Sequence, residues 1–332
     1  MATTVNGAFV EFLRDSIRLD PIRTDIAKKS KTTLVNEILN FPNDGQFLRI
    51  HPNRSIDYGS FSRKTKIRPL DDIDLMIILH AEGNWRVVYS DHIQIHVPNT
   101  ADKQLRLCHD GTNILNSIKV INRFKEYLSK VSFYDKAEIK RNQEAVTLNL
   151  KSYEWVFDIV PCFITVAEEG TGKTFYLIPD GKGHWKATDP RIDKQRTISI
   201  NAKHDISVVD MIRLIKYWAS RRAIPNIKSY YLENLILNYY NSTFNSSNFV
   251  DIELPKLFAH IYHNIQFALN DPKGIQGDIN HLSHDDRYKI KMKAAEDHNK
   301  ANEARQLEDQ GKMKESIQKW GEIFGHQFPS YF

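Results

Sequence analysis

The stretch Tyr58–Leu79 constrains this chain more than any other. It reads Tyr-Gly-Ser-Phe-Ser-Arg-Lys-Thr-Lys-Ile-Arg-Pro-Leu-Asp-Asp-Ile-Asp-Leu-Met-Ile-Ile-Leu. Gly59-Ser60 is a small, hydroxyl-bearing turn; a basic segment, Arg63 to Arg68, follows, and Pro69 breaks it. Leu75 to Leu79 is short, aliphatic and free of polar residues, the pattern of a buried strand. Side chains alternate along a strand, so Asp72 and Asp74 at its mouth point one way and Asp71 the other. Two carboxylates side by side at the edge of a core repel each other and resist desolvation. A divalent cation relieves both, and carboxylate oxygens with a substrate phosphate as co-ligand suit Mg²⁺. The alternative is a hairpin with a solvated acidic turn, which has no need of carboxylates aimed the same way.

At 332 residues the chain is long enough for one large core or two lobes. Charged residues make up 26% and hydrophobic ones 41%, a balance ordinary for a soluble protein. The formal charge of +5 suits anionic substrates, but the basic residues form no long block, so dedicated nucleic-acid binding is not demanded. Two cysteines, Cys108 and Cys162, exclude a disulfide framework and a cysteine-rich zinc site, and fit a reducing cytosol. The pairs His260/His263 and His281/His284 have no cysteine nearby, so zinc is not expected. No apolar run approaches membrane-spanning length, and no membrane association is expected.

Along the chain, residues 7–40 read as helices, with Phe9, Phe12, Leu13 and Ile17 on one apolar face. Trp85 to Tyr89 and Ile93 to Val97 read as short strands, and after Asp110-Gly111 a helical pattern runs to about Lys130, through Ile114, Ile118, Ile121, Phe124 and Leu128. Glu144 to Leu150 alternates, and so does Tyr153 to Val160, which sets Phe157 and Ile159 on one side and Asp158 on the other. Asp158 is a lone acid in an apolar strand, and burying an unpaired carboxylate is costly. Beside Asp72 and Asp74 it completes a three-carboxylate metal site; facing water on an edge strand, it does not. Gly170-Thr171-Gly172-Lys173-Thr174 looks like a phosphate-binding loop, yet Ala167 stands where that motif needs its first glycine, and a hairpin turn is expected instead. Helices are expected from Ile206, closed by Arg221-Arg222, and over Tyr231–Tyr240. The charged tail from His284 to Gly311 reads as an exposed helix.

Gly-Ser followed about ten residues on by Asp-x-Asp entering a strand resembles the nucleotidyltransferase superfamily signature. The local form is most similar to the bacterial cyclic-oligonucleotide synthases, relatives of cyclic GMP–AMP synthase and oligoadenylate synthase. Leu214-Ile215-Lys216-Tyr217-Trp218 and Lys228-Ser229-Tyr230-Tyr231-Leu232-Glu233 resemble the second-lobe signature of that family. The resemblance implies an α+β, two-lobed fold: a polymerase-beta-like palm with N-terminal helices over residues 1–203 and an OAS-like helical lobe over 204–332, the active site in the cleft. It implies catalysis by Asp72, Asp74 and Asp158 holding two Mg²⁺ ions, or Mn²⁺ in their place. It implies nucleotide binding by Gly59, Ser60, Lys216, Ser229 and Tyr230, the last as a base-stacking ring. A snorkelling lysine, an N-capping serine and a core tyrosine are the alternatives for those last three residues.

The implied activity joins NTPs, ATP among them, into a cyclic di- or trinucleotide second messenger for anti-phage defence in the bacterial cytoplasm. Pyrophosphate is released, a downstream effector reads the product, and partner proteins can regulate the enzyme. The clustered His and Cys of the DNA-sensing animal relatives are missing, so nucleic-acid activation is not expected. A template-independent nucleotidyltransferase acting on RNA or a small molecule, and a catalytically silent nucleotide-binding regulator, are the competing readings.

Overall fold

The computed structural model describes residues 2–221 and 223–332; Arg222, expected to close a helix, lies outside them. The elements run α1 (Val5–Phe12), α2 (Pro21–Asn40), β1 (Ile50–Asp57), α3 (Gly59–Ser62), β2 (Asp72–Leu79), β3 (Trp85–Val88), β4 (Ile93–His96), α4 (Asp102–Leu105), α5 (Ser117–Leu128), β5 (Glu138–Asn142), β6 (Ala145–Asn149), β7 (Val156–Ile164), β8 (Tyr176–Pro179) and β9 (Trp185–Thr188), followed by α6 (Pro190–Asn201), α7 (Val208–Ala219), α8 (Ser229–Ser242), α9 (Val250–Asn264), α10 (His284–Asp309) and α11 (Met313–Phe324). Two compact units result. One, built on a sheet, comprises Asp20–Ser62 and Leu70–Arg191; the other, helical, comprises the N-terminal residues through Leu19, Arg63–Pro69 and Ile192–Phe332. This division differs from a single cut at 203/204. Packing is the reason: Phe9 and Phe12 of α1 meet Trp320, Phe324 and Phe328 edge-on or tilted, so the first helix shares the helical unit's core.

In the sheet unit the strand order is β1-β2-β7-β8-β9-β4-β3, with β6 and then β5 branching from β7. β2 and β7 are parallel; the other pairings are antiparallel. The amphipathic helix α5, capped by the Asn116 side chain at the Ile118 and Lys119 amides, buries Val120, Ile121, Phe124 and Leu128 against β5, β6 and β7. The glycine-rich segment 170–174 lies in the connection between β7 and β8, where Glu168 and Lys173 close a turn. It is a hairpin loop, as its sequence context implies.

In the helical unit, Ser207 caps α7, whose Val208, Met211, Ile212, Ile215 and Trp218 are fully buried. The helix ends at Ala219, so Arg221 lies beyond it and donates to the Glu322 carbonyl. The expectation of an exposed α10 is overturned. Ile290, Ala294, Asp297, Ala301 and Ala304 form a buried stripe against α9 and α11. Alanines let backbones approach closely, and the single acid in the stripe is paired: Asp297 accepts from Trp218 Nε1 at 2.7 Å and from Lys293 Nζ at 3.0 Å. Among the described residues no helix is long and apolar enough to cross a membrane.

Candidate active site

The pleat sets the acids. In β2, Ile73 and Leu75 are buried while Asp72 and Asp74 are half-exposed; in β7, Phe157 and Ile159 are buried while Asp158 is half-exposed. The parallel register makes Asp74 the direct partner of Asp158 and Asp72 the partner of Val156. All three carboxylates therefore rise from one face of two adjacent strands. On the other side of β7, Thr147 of β6 is the register partner of Asp158 and donates its hydroxyl to Asp158 Oδ1 at 2.8 Å. Burial pushes the Asp158 carboxyl above the ordinary carboxylate range; the Thr147 hydrogen bond opposes that rise and the charge of Asp72 adds to it. Asp158 is thus no water-facing acid on a free edge.

Gly59 has a reason to be glycine beyond turn formation. Its φ is +71°, and a Cβ built on it falls 1.7 Å from Asp74 Oδ2 and 2.5 Å from its carboxyl carbon. The backbone lies directly against the carboxylate, and no other residue fits. Ser60 follows in the single turn of α3. Tyr58, one residue earlier, packs beside Met76, Val160 and Cys162. Burial first, then the charges of Asp74 and Asp158, hold its hydroxyl well above the ordinary tyrosine value, so it stays protonated beside the acids.

The other three expected residues belong to the helical unit. Lys216 is buried in α7, and its ammonium donates to Glu233 Oε1 at 2.9 Å and to the Thr65 carbonyl at 3.1 Å. It is not a snorkelling side chain, and its anionic partner is an internal one. Glu233 also accepts from Arg63 Nε at 3.0 Å. Burial alone would raise the Glu233 carboxyl; the two cations more than reverse this and leave it below its ordinary value. Ser229 is exposed and is the first helical residue of α8, not its cap; Lys228 takes the cap position and supplies no side-chain cap. The first-turn amides of α8 are thus offered without a side-chain acceptor from the cap.

Tyr230 enters a polar cluster that the sequence gives no sign of. Its hydroxyl donates to Asp271 Oδ1 at 2.7 Å and lies 2.9 Å from Asp193 Oδ1. Lys273 bonds the same hydroxyl, and its ammonium sits 4.0 Å from the ring centroid. One face of the proposed stacking ring is therefore covered by Lys273.

The structure brings together Gly59, Asp72, Asp74 and Asp158, with Ser60 next in chain. Sequence reasoning missed Thr147, Tyr58, Arg63 and Glu233. Thr147 stands on the polar side of an alternating strand, and Glu233 closes the second-lobe signature, so each carried a local signal but no partner. The donor set fits a divalent cation in its chemistry: three hard oxygen ligands on one face, with a glycine backbone pressed against the middle one. It is not a finished cage, since among the described residues no three His, Cys, Asp or Glu side chains form a group ready to hold an ion. Mg²⁺ sites of one or two carboxylates completed by substrate phosphate have this character.

No protein-family model matches the chain. A probable cyclic nucleotide synthase of Bacillus cereus (strain VD146) is 44% identical over 334 residues, spanning 100% of this chain and 99% of that protein. CdnC of E. coli MS115-1, solved with ATP, is similar with a TM-score of 0.69 at 16% identity, over 97% of this chain and 98% of that one. DncV of Vibrio cholerae in its apo form is similar with a TM-score of 0.67 at 11% identity, over 98% and 96%. At such identities the two solved structures speak for the fold alone, an α+β, two-lobed one. The Bacillus relative is similar along its whole length and gives the family. The chain belongs to the bacterial cyclic-oligonucleotide synthases, and it is a nucleotidyltransferase.

Proposed function

We propose that this chain joins nucleoside triphosphates, ATP among them, into a cyclic di- or trinucleotide and releases pyrophosphate. One observation carries the reading: Asp74 and Asp158 are register partners on parallel strands, with Asp72 on the same face and the Gly59 backbone against Asp74. Asp72, Asp74 and Asp158 are the residues that would hold two Mg²⁺ ions, or Mn²⁺ in their place. Such ions, when bound, lower the pKa of the acceptor ribose hydroxyl and offset the charge of departing pyrophosphate.

The residues of the chain bind and orient. Thr147 fixes Asp158 so that its carboxylate is presented in one rotamer. Gly59 admits the backbone to close approach, and the Ser60 hydroxyl donates to phosphate oxygens. In the helical unit, Ser229 and the amides of the first α8 turn are donors for phosphate. Lys216 has a third N–H left after serving Glu233 and Thr65, and that one is its proposed contribution. Tyr230 can offer a base only the ring face away from Lys273.

The product is proposed to serve as a second messenger in anti-phage defence in the bacterial cytoplasm, read by a downstream effector. A regulatory protein partner is part of the reading, because CdnC of E. coli MS115-1 was solved in a complex with HORMA-deltaN. Mass spectrometry of a reaction with all four NTPs and Mg²⁺ tests the core of it. A phosphatase-resistant cyclic product with pyrophosphate is the expected result. A linear or RNA-linked product would replace this reading with template-independent transfer, and no turnover at all would leave a nucleotide-binding regulator.

A further inference from the structure

Among the described residues the sheet has three free edges, and two of them are guarded. β1 carries Pro52, a register break between Ile50 and Ser55, and Arg54 at φ +60°. β5 reads Glu-Ile-Lys-Arg-Asn, charged along its length. Prolines, bulges and charges of this kind keep one strand edge from pairing with another. β3 and the residue after it read Trp-Arg-Val-Val-Tyr, with no proline, lysine or bulge. Its apolar side chains are open to solvent: Trp85 is 50% exposed, Val88 63% and Tyr89 47%. Its one cation, Arg86, is engaged over the Phe175 ring at 4.8 Å.

The backbone of this edge is also set for pairing. The Tyr89 N–H donates to the His92 carbonyl, and Val87 is the register partner of Gln94 and Trp85 of His96. Bonded and non-bonded pairs alternate in an antiparallel ladder, so Trp85, Val87 and Tyr89 spend their backbone groups on β4. The N–H and C=O groups of Arg86 and Val88 point away from it.

We propose that β3 pairs antiparallel with β3 of a second copy of this chain, about a two-fold axis at Val87. This register is self-complementary in two respects. Arg86 of one copy faces Val88 of the other, so the outward groups close two hydrogen-bonded pairs. Trp85 faces Tyr89 across the axis, an aromatic pair on each side of Val87. The interface is isologous and removes the unguarded edge from both copies.

Sedimentation velocity of the full chain over a concentration series tests the proposal, with amide hydrogen exchange at Arg86 and Val88. The expected result is a monomer–dimer equilibrium in which those two amides gain protection as concentration rises. Val88→Pro removes an outward donor without touching the β3–β4 ladder, and Val87→Lys sets two cations face to face on the axis. Each is expected to weaken self-association by about tenfold or more while leaving the thermal midpoint of the chain unchanged. A wild-type chain that stays monomeric throughout overturns the proposal, even if it captures an extended peptide at the same edge. A dimer that survives both substitutions overturns it as well.

Discussion

The two units handle charge in opposite ways. On the sheet, Asp72, Asp74 and Asp158 set like charge beside like charge on one half-exposed face, and burial and Asp72 drive the Asp158 carboxyl upward. In the helical unit, the buried charges come with opposite partners: Lys216 and Arg63 share Glu233, Lys273 meets Asp193 and Asp271, Arg18 and Arg213 meet Asp210. Carboxylates grouped on one face perturb one another's ionisation, and such perturbed groups gather at functional sites. Matched buried pairs fix geometry. The sheet face has the character of chemistry and the helical clusters that of scaffolding, and substitutions can break or sharpen the contrast.

The largest effect is expected on the acid face. Asp72→Asn with Asp74→Asn should lower turnover by more than about 10³-fold with the fold intact, since the change removes charge and leaves shape. Product assay with a parallel melting curve checks this, and retained turnover would remove the acids from the chemistry. Next comes Gly59→Ala. Its Cβ would land on the Asp74 carboxylate, so one of the two must shift, and a loss of about 10²-fold in kcat is expected. An alanine variant with wild-type rates would show that Asp74 need not stay where it lies.

In the helical unit the expected losses are of stability. Glu233→Ala leaves Lys216 and Arg63 buried without their shared anion and should cost about 3–5 kcal/mol in denaturant unfolding. The same carboxylate gives a pH signature. Its folded pKa lies below its ordinary 4.5, so its contribution is fully present above that value and is lost as pH falls through the folded pKa. A wild-type stability curve flat across that acid limb would argue against the pairing. The smallest effect separates two roles of one residue. If Tyr230 serves as a ring for stacking, Tyr230→Phe is silent and Tyr230→Ala is not. If its hydroxyl ties α8 to Asp193 and Asp271, Phe and Ala both raise KM, by a similar few-fold factor of about 2–5.

What could be read from the sequence was local. Gly59, Asp72 and Asp74 sit within one short stretch, and strand alternation alone put Asp158 on the polar side of β7. Partners far apart in the chain were out of reach. Thr147 donates to Asp158 only because β6 and β7 pair in one register, and the Tyr230 cluster draws on residues from α6 and from the 271–273 loop. The buried face of the tail helix α10 is hidden for the same reason: its many charges speak louder in sequence than four small or apolar residues spaced to face α9 and α11. A cut at 203/204 also came from local composition, which carries no trace of Phe9 resting on Trp320 and Phe328.

That last contact has a consequence for how the protein is made. Phe9 leaves the ribosome early, but its aromatic companions are synthesised only after the whole sheet unit has emerged. An apolar helix must wait in solution through that interval, a hazard for aggregation during synthesis. Substitutions on the apolar face of α1 should therefore depress soluble yield more than substitutions on the exposed loop at Gly170–Gly172.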